Sequence, residues 1–105
     1  MNIYTIYADI VEGSNPHDFV ANMRKFLDSL PTLQTYRITR CKLGFRSMDL
    51  PEFRIDMEFR SMQDLDDAMT HVVQNVDDIE SKHVAFNSMV KENIQHFLYR
   101  DWPDE

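Results

Sequence analysis

The clearest pattern in the chain is an unbroken alternation over residues 52–60. Phe53, Ile55, Met57 and Phe59 fall on one side; Glu52, Arg54, Asp56, Glu58 and Arg60 fall on the other. Successive side chains of an extended strand point to opposite faces, so this stretch predicts a β-strand with one covered and one charged face. Residues 2–11, rich in Ile, Tyr, Val and Thr, also predict a strand. Here both parities are apolar: Tyr4, Ile6, Ala8 and Ile10 on one, Ile3, Thr5, Tyr7, Asp9 and Val11 on the other. A strand apolar on both sides is ordinarily covered on both sides, which places it centrally in its sheet. Residues 93–102 predict a last strand with Ile94, Phe97, Leu98 and Tyr99 spread over both parities and His96 and Arg100 between them.

A further strand is predicted over Leu33–Phe45. Leu33, Cys41, Leu43 and Phe45 share one parity and Tyr36 and Ile38 the other, which implies partial cover on both faces or a bulge near Thr39. Residues 46–51 lead back into the alternating strand, so the two predict a hairpin. If their apolar faces coincide, odd residues oppose odd ones. One such register sets Arg40 opposite Glu58 and Lys42 opposite Asp56, each pair contributing about 0.2–1 kcal/mol.

Two stretches carry helical spacing. Asn15 is placed to cap and Pro16 to open a helix whose stripe is Phe19, Val20, Met23, Phe26, Leu27 and Leu30, stopped by Pro31. Ser61-Met62-Gln63-Asp64 resembles a capping box ahead of Leu65, Ala68, Met69, Val72, Val73 and Val76. Asp77-Asp78 then interrupts and is placed to cap a second short helix containing Ile79, His83, Phe86 and Val90.

The order strand, helix, strand, strand, helix, strand predicts one α+β domain over residues 1–105. It is the ferredoxin-like βαββαβ arrangement, an antiparallel sheet with helices on one face. Its bare face is expected to carry Tyr7, Tyr36, Ile38, Arg54, Asp56, Glu58 and His96. The doubly apolar first and last strands need cover there, and the chain has no spare element, so a second copy of the chain is the expected partner. This pattern resembles the dimeric α+β-barrel superfamily, in which two ferredoxin-like chains pack sheet against sheet. The resemblance covers nearly the whole chain through element order, length and the doubly apolar outer strands. It implies a homodimeric barrel and an uncharacterised family within it. Members include cofactor-independent monooxygenases, muconolactone-type isomerases, stress-responsive proteins and haem-degrading enzymes. The haem-degrading branch sets an Asn, a Trp and a helix-borne His around the haem. Here the sole Trp is Trp102, beside the C-terminus, and His83 is the helical His in comparable order, a departure from that pattern; no cofactor is expected.

Charge narrows the partners. A formal net charge of −7 disfavours non-specific nucleic-acid binding and anionic membranes, both of which select basic surfaces. Residues 1–12 contain no Lys or Arg and carry Asp9 in their apolar run, unlike a signal peptide or membrane span. The single Cys41 permits no intramolecular disulfide, which points to a reducing, cytoplasmic setting, and its apolar parity predicts a buried, inert thiol.

The candidate chemistry is a small-molecule pocket between helices and sheet or within the barrel. Arg40, Arg54, Asp56 and Tyr36 are the expected ligand-binding groups, and His96, Glu58 and Tyr7 the candidates for proton transfer. Charges withdrawn from water must pair or change protonation, and such groups gather at functional sites. The plainer alternative is that these charges pair across strands and set dimer register. The four histidines, His17, His71, His83 and His96, lie on different elements without HxH or HxxxH spacing, so no metal site is expected. A third reading, a protein-interaction dimer, rests on Asp64, Asp66, Asp67, Asp77, Asp78 and Glu80, a window without Lys or Arg. Such runs are ordinarily solvated helix faces.

Overall fold

The protein is described here from a computed structural model, which describes residues 1–42 and 51–103. The elements are β1 (Asn2–Ala8), α1 (Pro16–Leu27), β2 (Thr35–Arg40), β3 (Phe53–Phe59), α2 (Met62–Val73), a 3-10 turn (Val76–Asp78), α3 (Ile79–Asn87) and β4 (Gln95–Arg100). The four strands form one antiparallel sheet in the order β2-β3-β1-β4. This is the ferredoxin-like α+β arrangement, with β1 in the interior of the sheet as its doubly apolar pattern requires.

The core lies between the helices and one face of the sheet. Ile6 and Ala8 of β1 and all four apolar residues of β3 meet Phe19, Met23, Phe26 and Leu27 of α1, Leu65 and Ala68 of α2, and Ile79 and Phe86 of α3. Each large side chain fully removed from water contributes about 1.5–3 kcal/mol. The helix starts follow the cap chemistry. Asn15 Oδ1 accepts from the His17 N–H at 2.8 Å, and Ser61 Oγ accepts from the Asp64 N–H at 3.1 Å. α3 departs from expectation. Asp77 and Asp78 both adopt positive φ (53° and 57°) in the turn, and Asp78 makes no side-chain cap bond. Asn75, itself at φ 51°, caps instead, its Oδ1 accepting from the Glu80 N–H at 2.9 Å. Asn and Asp tolerate this left-handed region better than other side chains.

Three expectations about strands are corrected. β2 ends at Arg40, and its register with β3 sets Thr35 opposite Glu58, Arg37 opposite Asp56 and Arg40 opposite Phe53, not Arg40 opposite Glu58. Lys42 lies beyond the strand, so it does not oppose Asp56. The odd parity was weighted by Cys41, Leu43 and Phe45. Cys41 is outside the ladder and exposed, not buried. Leu43, Phe45 and residues 46–50 of the connecting loop lie outside the described residues. The parity that does face the core in β2 is that of Tyr36 and Ile38, opposite Met57 and Ile55. Third, among the described residues β4 is an edge strand, and all six of its residues are exposed.

Candidate functional site

The sheet presents two different surfaces, and the sequence-nominated residues divide between them. On the face away from the helices, the register aligns Ile3, Thr5 and Tyr7 of β1, Arg54, Asp56 and Glu58 of β3, Thr35, Arg37 and Thr39 of β2, and Phe97 and Tyr99 of β4. Thr5 is the hub of this face and is 0% exposed. Its Oγ1 donates to Asp56 Oδ1 at 2.7 Å. Arg54 Nε donates to the same carboxylate, 3.0 Å from Oδ2, and the Arg54 guanidinium stands 5.7 Å from the centre of the Tyr7 ring. Thr35 Oγ1 donates to Glu58 Oε2 at 2.5 Å. Tyr7 meets Phe97 edge-on at 5.8 Å, and Phe97 is 6.3 Å from Tyr99. A depression of about 460 Å³ lies over the charged half, walled by a single sheet. The face therefore has a charged half on β2 and β3, with much of its polarity satisfied internally, and an aromatic half on β1 and β4.

Tyr7, Arg54, Asp56 and Glu58 share the bare face, whereas Tyr36, Arg40 and His96 fall on the other parity; Tyr36 still borders the depression over Arg54, Asp56 and Glu58, and Arg40 borders a hollow with Tyr7 and Arg54. Tyr36 lies on the helix-covered parity, where its hydroxyl donates to Asp28 Oδ1 at 2.8 Å. That carboxylate, with some desolvation, raises the phenol above its ordinary range, although Arg24 beside it opposes the shift. Arg40 closes the end of β2, paired with Glu52 at 2.6 Å and 5.6 Å from the Phe53 ring centre. Both hold β2 against its neighbours. The reason is the parity of β2: even residues face the helices, whereas the odd-to-odd register expected from the sequence turned them outward.

His96 points to the second surface. It opposes Ile6 across the β1–β4 ladder, on the helix side of the sheet. A cavity of about 110 Å³ lies there between the three helices and the sheet. Its apolar wall includes Ile6, Phe26, Met57, Met69, Val72 and Phe86, and its polar groups are Tyr4, His83, Asn87 and His96. Tyr4 Oη and His96 Nδ1 are 2.8 Å apart, a hydrogen bond spanning 92 residues of sequence, and the rings are 5.7 Å apart. Burial pushes the Tyr4 phenol above its ordinary pKa, so it is a neutral O–H donor through the physiological range. His83 enters from α3 between Phe26 and Phe86, whose ring centres are 5.6 and 5.2 Å away. Among the described residues its buried Nδ1 makes no hydrogen bond; Glu80 Oε1 lies 3.5 Å away, out of line for one.

Sequence reasoning nominated His96 but missed Tyr4, which reads as one more apolar residue of β1. The available signal was the pairing of the first and last strands, which makes Tyr4 and His96 diagonal neighbours (Tyr4 opposes Leu98, two residues on). Among the described residues no group of three or more His, Cys, Asp or Glu is placed to hold a metal ion. No helix among them is long and apolar enough to cross a membrane.

Comparison with known proteins places this geometry. A profile for the family of unknown function DUF6614 matches residues 1–105, and the chain belongs to that family. No curated protein matches the sequence. Solved structures share the fold at low identity. The Arabidopsis thaliana protein At3g17210 superposes with a TM-score of 0.79 at 7% identity, covering 100% of this chain and 99% of that one. An EthD family protein from Bacillus halodurans gives 0.70 at 10% identity, covering 96% and 99%. A dimeric ferredoxin-like protein of unknown function from Thermobifida fusca gives 0.65 at 13% identity, covering 96% and 92%.

Proposed function

We propose that this DUF6614 protein is a homodimer that binds a small ring-shaped molecule bearing one hydrogen-bonding oxygen, in the cavity between helices and sheet. The observation that carries the reading is the Tyr4–His96 hydrogen bond at the wall of a largely apolar cavity. Small-molecule sites are apolar hollows with a few convergent polar groups that fix orientation. A tyrosine hydroxyl has one donor and two acceptor positions, and His96 occupies one of these three. The remaining capacity is available to a ligand oxygen. The volume, about 110 Å³, is somewhat below the about 150 Å³ that accepts benzene, so a single small ring is the largest ligand it suits.

The dimer is supported by the bare sheet face. It carries two cations, Arg37 and Arg54, and two anions, Asp56 and Glu58, beside half-exposed Phe97 and Tyr99. A patch with both signs and an aromatic half is self-complementary under a two-fold axis. The similar Thermobifida fusca structure is described as dimeric. In this reading the chain is one domain, Arg54, Asp56, Glu58 and Tyr7 set the register of the two sheets, and the lone Cys41 fits a reducing cytoplasm.

A second reading, cofactor-independent proton transfer, is favoured by His83 on the helix side of the same cavity, facing the layer that holds Tyr4 and His96.

Phenol is a suitable probe. Ligand-observed NMR is expected to show binding that weakens about 3- to 10-fold in Tyr4→Phe, the worth of one hydrogen bond. Equal affinity in the variant would remove the Tyr4 hydroxyl from the site.

A further inference from the structure

The two surfaces share one element. Among the described residues β4 hydrogen-bonds to a single neighbour, β1, and all six of its residues are exposed. Its alternation sends Phe97 and Tyr99 to the bare face and His96 and Leu98 to the helix side. One six-residue strip therefore carries the aromatic half of the proposed dimer surface on one side and a polar group of the cavity on the other. Its ends are tied down. Arg100 Nε donates to Asn2 Oδ1 at 2.9 Å, and the Met1 ammonium pairs with Asp101 at 3.2 Å. At the other end Asn93 Nδ2 donates to Asp9 Oδ2 at 2.9 Å, and the Lys91 N–H donates to the Asp9 carbonyl at 2.8 Å. Between these anchors, His96 to Tyr99 rely on the β1 ladder and on half-exposed side chains, with Phe97 at 42%, Leu98 at 48% and Tyr99 at 46% exposure. Edge segments with exposed backbone bonds and little buried apolar contact open locally at low free energy.

We infer that dimer formation and occupancy of the cavity are coupled through β4, so that the site is complete only in the dimer. This rests on the dimer and the cavity proposed above. A second sheet packed on Phe97 and Tyr99 holds β4 flat and keeps His96 within reach of Tyr4. A ligand oxygen bonded to Tyr4 and His96 fixes the same strand from the other side and so favours the dimer. Coupling of this kind is reciprocal: each event strengthens the other by the same factor. In a single chain the opening of β4 withdraws His96 and lowers the population of the binding-competent form.

The test needs no variant. Phenol affinity is measured on the intact protein above and below the concentration at which the dimer dissociates. Subunit association is measured by sedimentation with and without phenol, and hydrogen exchange is followed across residues 95–100. The expected result is about fivefold or more weaker phenol binding in the monomer, a dimer tightened by phenol to the same extent per site, and faster β4 exchange on dilution. Asp56→Arg supplies an independent monomer, because it breaks the bare face from β3 and not from β4. It should show the same loss of phenol affinity as dilution. Equal phenol affinity in dimer and diluted monomer overturns the coupling and leaves both the cavity and the dimer standing. A chain that is monomeric at every concentration, or that binds phenol in neither form, overturns the coupling together with the reading beneath it.

Discussion

On one side of β3, Phe53, Ile55, Met57 and Phe59 are sealed beneath the helices; on the other, Arg54, Asp56 and Glu58 sit on an open sheet. The same seven residues thus serve two surfaces with opposite completeness. The covered face is finished within one chain: its apolar side chains meet those of all three helices. The open face has settled much of its polarity locally, through Thr5, Asp56, Arg54 and Tyr7, and leaves the aromatic residues of β4 half in water. The contrast separates what folds the chain from what the folded chain offers to a partner.

The largest expected effect lies on the covered side. Phe59→Ala removes a ring with no solvent exposure and should cost about 3–5 kcal/mol in denaturant unfolding. A loss below about 1 kcal/mol would mean that the site collapses or that Phe59 is not in the core. On the open side, Asp56→Asn weakens the acceptor shared by Thr5 Oγ1 and Arg54 Nε and should cost about 1–3 kcal/mol. Unlike the Phe59 change, it should also shift the concentration at which the proposed dimer dissociates. If it alters chain stability alone, the open face is ordinary surface.

The smallest effect sharpens the boundary between the two. Asp9 accepts from Asn93 Nδ2 and from the Glu52 N–H. The Asn93 bond first, then the Glu52 bond and nearby Lys91, hold its carboxyl below the ordinary 3.8, against some desolvation. A depressed folded-state pKa contributes stability that is present above the unfolded value and lost as pH falls through the folded one. The stability difference between the native protein and Asp9→Asn should therefore be constant above about pH 5 and shrink on acidification below it. A difference that stays constant down to pH 2 would mean that Asp9 has no special stabilisation when charged.

Much of this architecture was legible because local and global signals agreed. The alternation of β3, the cap at Asn15, the cap at Ser61 and the doubly apolar β1 each had one physical solution. β2 did not. Its apolar residues fall on both parities, and those that tipped the balance, Cys41, Leu43 and Phe45, follow the last residue of the strand. The ladder itself is decided by Tyr36 and Ile38 against Met57 and Ile55. That single error of parity put the side chains of Tyr36 and Arg40 on the bare face of the sheet. The cavity was harder still. Tyr4 and His96 look unrelated in sequence, and only the pairing of the first strand with the last makes them neighbours. The Asn75 cap was masked by the more obvious Asp77-Asp78, whose left-handed backbone the sequence does not announce.

The strand order also has a temporal meaning. Of the four strands, β1 leaves the ribosome before the others, yet both of its partners are remote. Thr5 meets Asp56 across an interval of 51 residues, and Tyr4 meets His96 across 92. At typical synthesis rates the first partner follows by on the order of seconds, and the second later still. Lengthening a loop from the shorter interval to the longer adds less than about 0.6 kcal/mol of closure entropy, so waiting, not entropy, is the larger burden. The local β2–β3 hairpin can close early, but the middle of the sheet must stay open until β3 arrives. The most apolar strand of the protein is therefore the one left longest without its complete pairing.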